Sequence, residues 1–318
     1  MLQTLLRRLV RLVPTLILVS VATFSLTYLV PGDPAITLAG DAPTPERIAE
    51  IRADLGLHRP VVVQYFDWVG GVVTGDFGHS IYGGADTVAD LIVQKLPVDI
   101  SLAIGGLLVA LLVGVPLGIL AAVRRGSIVD RIVTAFTSVS VALPSYWIAL
   151  LLVLLFAVNL RWLPASGYTP PTEDPVAWVR GLVLPSIAIG LAMTAELARQ
   201  LRTALVDVLD QQYVRTARAK GLRAWVVIGK HAMKNAAITP LTILGLQIAS
   251  ILGGAVIIEQ IFGLPGLGQL AIEAVLQRDI PVIQGVVMTA VLVVVVCNLL
   301  VDLSYIWLNP RARRYPPG

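Results

Sequence analysis

The chain has 318 residues, 56% of them hydrophobic and only 14% charged, with a formal net charge of +4 and a mean hydropathy of +0.81. A soluble domain carries about 25% charged residues, so the composition excludes a water-soluble protein and defines a polytopic membrane protein. The basic residues sit at the ends of apolar runs rather than on one polar face, which excludes a nucleic-acid binder, and the single cysteine, Cys297, excludes an intrachain disulfide framework or a cysteine metal site.

A transmembrane helix needs roughly 20 mostly apolar residues, and six stretches qualify: about Leu9 to Val30, Ile100 to Val123, Ile132 to Val158, Gly181 to Ala198, Ile238 to Ile261 and Val282 to Ile306. The first is expected to be a span rather than a cleaved signal, because it outruns a signal core and ends in Tyr28-Leu-Val-Pro-Gly-Asp-Pro34 instead of small residues. Residues 31–99 then form a long loop. Within it Thr44 can cap a helix that Pro45 and Glu46 open, Ile48, Ile51 and Leu55 repeat at helical spacing, and Gly56 stops it. Gly70, Gly71, Gly75, Gly78, Gly83 and Gly84 predict an irregular stretch of tight turns after it. In the second span, Gly114 and Gly118 allow close helix approach and Pro116 between them predicts a kink.

Lys and Arg near span ends stay on the cytoplasmic side. With the N-terminus inside, 17 of the 24 basic residues fall inside and seven outside, while ten acids lie in the long outer loop. Six spans with both termini cytoplasmic follow, in one transmembrane domain over residues 1–318.

Between the fourth and fifth spans, residues 199–237 carry eight of the basic residues in the stretch Arg199 to Lys234. Leu205 to Lys220 reads as a helix, Gly221 breaks it through a left-handed residue, and Arg223 to Ala236 forms a second short helix. A solvated basic loop is the plainer alternative, but Val214, Ala217, Trp225, Val226, Val227 and Ile228 are too apolar for it. Two short helices at an angle make a knob on the cytoplasmic face.

Catalytic motifs are missing. His58, His79 and His231 lie in loops without a second ligand at helical spacing, there is no Gly-x-Ser-x-Gly elbow, and Lys230 follows Gly229 with Ala224 where a phosphate loop needs its first Gly. Gly266-Leu-Gly268-Gln-Leu-Ala271 fits the dinucleotide fingerprint in spelling but follows a membrane span, so it reads as a turn. An ion-coupled secondary transporter is the competing class, and it needs ionisable groups near the midplane; Glu196, Glu259 and Asp302 instead sit near span ends and read as local pairs, interfacial groups or helix-helix hydrogen bonds. Ser138, Ser140, Ser145, Gln247, Ser250 and Thr289 are the polar residues deeper in the spans, where they either line a wet path or bond helices together.

The run Tyr213-Val-Arg-Thr-Ala-Arg-Ala-Lys-Gly-Leu222, with Asn235 and Pro240 downstream, resembles the EAA loop of permease subunits of binding-protein-dependent ABC importers, in the form of the dipeptide and oligopeptide branch. Arg215 and Thr216 stand where the leading Glu and first Ala of that loop fall, Ala217 keeps the second Ala and Gly221 the Gly. Leu6 to Arg8, Val30 to Pro34, Leu55-Gly-Leu57, Arg59-Pro60, Gln64-Tyr65, Gly75 to Gly78 with Ser80, Glu259 to Gly268, Arg278-Asp279, Pro281, Gln284-Gly285, Asn298 to Asp302 and Asn309 to Arg311 extend the resemblance over nearly the whole chain.

The resemblance implies an all-α fold of the type I ABC importer (MetI-like) transmembrane domain and a B-type permease subunit in the cytoplasmic membrane. Tyr213, Arg215, Thr216, Ala217, Arg218, Ala219, Lys220, Gly221, Leu222, Asn235 and Pro240 would couple it to an ATPase, with Ala217 on the outward face that enters the ATPase groove. The chain itself would bind no cofactor; ATP and Mg would be held by two partner ATPases, beside a homologous second permease and an extracytoplasmic binding protein. Peptides are the substrate implied, with nickel complexes, glutathione or sugars as alternatives in the same architecture. The absence of a His, Cys or Met cluster in the spans favours peptides over metals.

Overall fold

A computed structural model describes residues 2–29, 35–36, 44–54, 56–82 and 87–308, and among them every regular element is helical. The segments Val30 to Pro34, Leu55, Gly83, Gly84, and Asn309 to Arg311 with Arg313 and Arg314, all used above, lie outside the described residues. The helices are α1 (Leu2–Leu29), α2 (Pro45–Asp54), α3 (Val61–Thr74), α4 (Val88–Val109), α5 (Val115–Val123), α6 (Ile128–Ala142), α7 (Ser145–Leu152), α8 (Pro175–Leu209), α9 (Gln212–Ala219), α10 (Ala224–Val226), α11 (Met233–Ala236), α12 (Ile238–Phe262), α13 (Leu267–Gln277) and α14 (Ile280–Leu308). They divide into two units, Met1–Leu96 with Leu270–Val293 and Pro97–Gln269 with Val294–Gly318.

In the first unit, α2 begins as its sequence dictates: the Arg47 amide donates to Thr44 Oγ1 at 3.3 Å, and Gly56 at φ +63° ends it. The glycine-rich expectation holds only in part. Gly70 and Gly71 lie inside α3, which Gly75 closes in the left-handed conformation. A Cβ on Gly71 would stand 2.7 Å from the Asp76 carbonyl oxygen, so glycine there lets the following loop fold back on the helix. Asp279 fastens that loop, accepting from Ser80 Oγ at 2.6 Å and the Ile81 amide at 3.1 Å. Gln284 Nε2 donates to Thr27 Oγ1 at 2.9 Å, and Gly285 leaves the space that Val88 fills.

The second unit is built around α8, whose first turn is capped by Asp174 Oδ1 accepting from Val176 and Ala177. Small residues set its contacts. A Cβ on Gly190 would lie 2.7 Å from the Gly106 carbonyl oxygen, one on Gly114 2.9 Å from the Thr194 carbonyl, and one on Gly118 2.9 Å from the Ala198 carbonyl. In a bilayer, apolar burial gives helices little reason to associate, so close van der Waals approach of backbones has to do it. The kink expected at Pro116 does not break the helix: Val88–Val123 runs on as one, and a π turn, Ala110–Gly114, sits just before the proline.

Among the described residues, three helices (Val88–Val123, Pro175–Leu209 and Ile280–Leu300) are long and apolar enough to cross unbroken, or up to five if each bent pair counts as one span, and the first expected span lies on the shorter apolar helix Leu12–Tyr28. The third expected span, Ile132 to Val158, is instead two helices. Leu143 and Pro144 are extended, and the axes bend by 103° there, as the residue before a proline is pushed out of the helical region.

Candidate functional site

The knob grows from the end of α8. The expectation of a helix from Leu205 to Lys220 is corrected: α8 carries the fourth span on to Leu209, and the chain breaks at Asp210 and Gln211, the latter extended at ψ 148°. The short helix proper is α9. Its apolar positions, Val214 and Ala217, are one turn apart and pack against Val227 of the following segment and against Val208 and Leu209 of α8. Ala217 is therefore not on the outward face; it is 7% exposed inside the knob's own core.

Gly221 ends α9 as the sequence predicts, at φ +75°. The Gly221 amide donates to the Arg218 carbonyl at 2.9 Å and the Leu222 amide to the Ala217 carbonyl at 3.4 Å, the paired bonds that satisfy the last carbonyls of a helix ending in a left-handed residue. Arg223 is extended and starts α10, which passes through a π turn, Val227–Ala232, into α11. Asn235 Nδ2 donates to Tyr213 Oη at 2.8 Å, tying α11 to α9. These two motif residues are thus partners across 22 positions, and Pro240 is buried in the first turn of α12, where its missing amide costs nothing.

The outward surface carries the rest of the motif. Arg215, Thr216, Arg218, Ala219 and Lys220 are exposed, and Thr216 Oγ1 donates back to the Gln212 carbonyl at 3.0 Å. Two apolar side chains stand among them, Leu222 at 40% and Trp225 at 69% exposure. The sequence reading placed Trp225 among the apolar residues of the knob without seeing that it points out, whereas Val227 beside it is buried. A tryptophan among arginines is the composition of a contact hot spot.

The base of the knob holds a pair that spacing does not reveal. Asp130 in the first turn of α6 accepts from Arg202 Nε at 2.6 Å and Nη2 at 2.8 Å, and from the Gly126 amide at 2.9 Å. Arg125 reaches Asp210 at 3.4 Å, where both side chains are exposed. The turn before α6 is thereby fixed to the last turns of α8.

The residues considered for a path divide differently. Ser138 and Ser140 donate to the Thr134 and Phe136 carbonyls of their own helix. Ser145 starts α7 and is half-buried, as is Gln247, Thr289 is buried, and the side chain of Ser250 lies outside the described residues. None of them lines the cavity of about 620 Å³ found in the first unit, whose walls include Phe24, Arg59, Trp68, Phe77 and His79. Glu259 takes the helix-helix hydrogen bond among its expected roles: it is fully buried and accepts from the Gln269 amide at 2.8 Å, while Asp99 accepts from the Leu267 amide at 2.8 Å. The two carboxyls cap α13, and Gly266 and Gly268 leave the room that Glu259 occupies. Glu196 pairs with Arg199 and Gln200 on its own helix. Asp302 lies in α14 with its side chain outside the described residues.

A helical membrane domain with a two-helix basic knob between its fourth and fifth spans defines a transport permease. Residues 114–314 match the family "Binding-protein-dependent transport system inner membrane component", and residues 1–103 match the N-terminal membrane component of the same kind of system. The chain belongs to this family of inner-membrane permeases. A Brucella abortus (strain 2308) protein named as a peptide transport system permease is 41% identical over 97% of this chain and 98% of its own length. The Escherichia coli (strain K12) dipeptide transport system permease protein DppB is 36% identical over 98% and 99%. Among solved structures, an inward-facing form of the MetNI methionine ABC transporter matches with a TM-score of 0.56 and 16% identity, over 69% of this chain and 96% of that one. That likeness shows the MetI-like fold.

Proposed function

We propose that the chain is the permease subunit of an ATP-driven importer of di- or oligopeptides, coupled to separate ATPase subunits through the α9 knob. The observation that carries the coupling is the knob itself: a self-packed pair of short helices that spends its apolar residues Val214, Ala217 and Val227 on its own core, yet leaves Trp225 and Leu222 exposed among Arg215, Arg218, Lys220 and Arg223. Such a surface fits a groove with an acidic rim, where the charges steer encounter and the aromatic supplies affinity. Peptide as the substrate is supported by the names of relatives that match almost end to end.

In this arrangement ATP and Mg bind the ATPase subunits, a second homologous permease completes the membrane domain, and a binding protein delivers peptide from the outer side. Both termini are cytoplasmic, which agrees with 17 of 24 basic residues on that side.

Reconstitution tests the proposal. In proteoliposomes the chain alone should neither bind nor hydrolyse ATP; with its ATPases, second permease and binding protein, labelled dipeptide should accumulate with ATP turnover and be chased by unlabelled peptide but not by glutathione, nickel or sugars. Uptake that collapses with a protonophore at constant ATP would favour the secondary transporter. For the topology, cysteines placed at Ser127 and at Thr172 in a Cys297→Ser chain should differ in whole cells, with only position 172 reacting with an impermeant thiol reagent.

A further inference from the structure

Helix α3 is amphipathic the wrong way round for a helix in water. At 100° per residue, Val62, Val63, Phe66, Val69 and Val73 share one face, and Gln64, Trp68 and Gly71 the opposite one. The second face lines the cavity, with Asp67 at its edge paired to Arg59 at 2.9 Å. The first face points away from the protein, with Val62 at 65%, Phe66 at 66% and Val73 at 80% exposure. A surface helix normally turns its polar face outward, and a continuous exposed apolar face marks a contact.

Depth says what that contact is. Tyr65 Oη is hydrogen-bonded to Ser20 Oγ at 2.8 Å, the Phe24 ring packs edge-on to Tyr65 at 5.5 Å and against Trp68 at 5.8 Å, and Tyr28 Oη donates to Gln64 at 2.9 Å. α1 ends at Leu29, so at a rise of 1.5 Å per residue Phe24 and Ser20 stand about 7 Å and about 13 Å before that end. α1 carries the first expected span as the apolar helix Leu12–Tyr28, and Ile17, Leu18 and Val21 at the same level are exposed apolar side chains of it. A helix standing clear of the membrane would not reach Ser20. The left-handed Gly75 then turns the chain back toward α4.

We propose that α3 is an in-plane membrane helix, with its Val62, Phe66 and Val73 face seated among the phospholipid acyl chains of the leaflet at the C-terminal end of α1. Its contacts on α1 run from Tyr28, about 2 Å from the end of that helix, to Ser20, about 13 Å from it, and bracket the 5–10 Å at which interfacial helices lie. Its one charged residue, Asp67, is turned out of the lipid-facing sector and paired to Arg59. The cavity wall formed by Gln64, Trp68 and Gly71 is thereby held at a fixed depth by lipid on its far side.

The test uses the full chain, Cys297→Ser, co-expressed with the subunits it assembles with and placed in lipid nanodiscs. A bimane probe is attached at Phe66→Cys, at Val73→Cys as a second site on the same face, and at Ala49→Cys on the polar helix α2. Phosphatidylcholine brominated at carbons 6 and 7 should lower emission at positions 66 and 73 by at least about twofold, as the depth of an interfacial helix requires, with aqueous iodide having little effect there; the probe at 49 should respond to iodide and not to bromolipid. Iodide quenching at 66 and 73 equal to that at 49 would place the face in water and overturn the proposal. Protection of both sites from both quenchers would also overturn it, because another protein subunit would then cover the face.

Discussion

Ala217→Asp puts a carboxylate into the core of the knob, not onto its docking surface. That core is small: Val214, Ala217 and Val227, closed by Val208 and Leu209. Burying a valine side chain is worth about 2 kcal/mol, so the two fully buried valines contribute on the order of 4 kcal/mol to keeping α9 against α8. An unpaired buried carboxylate costs several kcal/mol, and no cation lies within this cluster, so the two terms are of equal size and α9 should undock. In inside-out vesicles or nanodiscs, trypsin should then cut at Arg215, Arg218 or Lys220 on the order of a hundredfold or more faster than in the parent, since each 1.4 kcal/mol of local stability is a tenfold change in the open population, while the spans remain intact. Ala219→Asp, on the exposed side of the same helix, should leave trypsin resistance unchanged and weaken co-purification of the ATPases. Parental protease resistance of Ala217→Asp would refute the inward assignment, and retention of the ATPases by Ala219→Asp would refute the outward one.

Asp130→Ala or Arg202→Ala leaves one member of a mostly buried bidentate pair alone, which should cost about 2–4 kcal/mol and lower the melting temperature in detergent; the double substitution should cost less than the sum. Gly190→Leu forces side-chain atoms into the Gly106 backbone and should destabilise by more than about 3 kcal/mol, whereas Gly70→Ala, with nothing within 4 Å of its Cβ, should be neutral or stabilise by about 0.5 kcal/mol. Gly221→Val imposes a β-branched residue at φ +75°, a cost of about 1–3 kcal/mol; ATP turnover by the assembled complex should lose its dependence on peptide while ATPase association is largely kept.

What could be read from the sequence was whatever depends on one residue's own stereochemistry or on composition. Gly221 announces a left-handed stop, Thr44 and Pro45 a helix start, Gly114 and Gly118 a close approach, and the apolar runs their helices. What could not be read depends on partners or on which side of a helix faces inward. The break at Asp210 is hidden because Leu205 to Leu209 continue the helical pattern of α8, and nothing local stops it. Ala217 is small enough for either face, and only the positions of Val208 and Val227 decide. Asp130 and Arg202 meet across 72 residues. The 103° bend at Pro144 had a visible cause, but a hydropathy window averages across it. Gly70 and Gly71 were read as turn formers, though both lie inside α3, where Gly71 lets the following loop approach closely and Gly70 has no neighbour that needs its missing side chain.

The length of α8 has mechanical meaning. Its 35 residues span about 52 Å at 1.5 Å per residue, against a hydrocarbon thickness of about 30 Å, and the stretch after Pro185 is free of proline all the way to the knob. On the coupling proposed above, it would act as a stiff lever arm of about 36 Å with the knob at its tip. Along its side lie Gly106 of α4, Gly114 of the π turn and Gly118 of α5, where the helices approach too closely for any side chain to stand between them. A swing of about 10° at the tip then carries the knob by about 6 Å, larger than one helical turn.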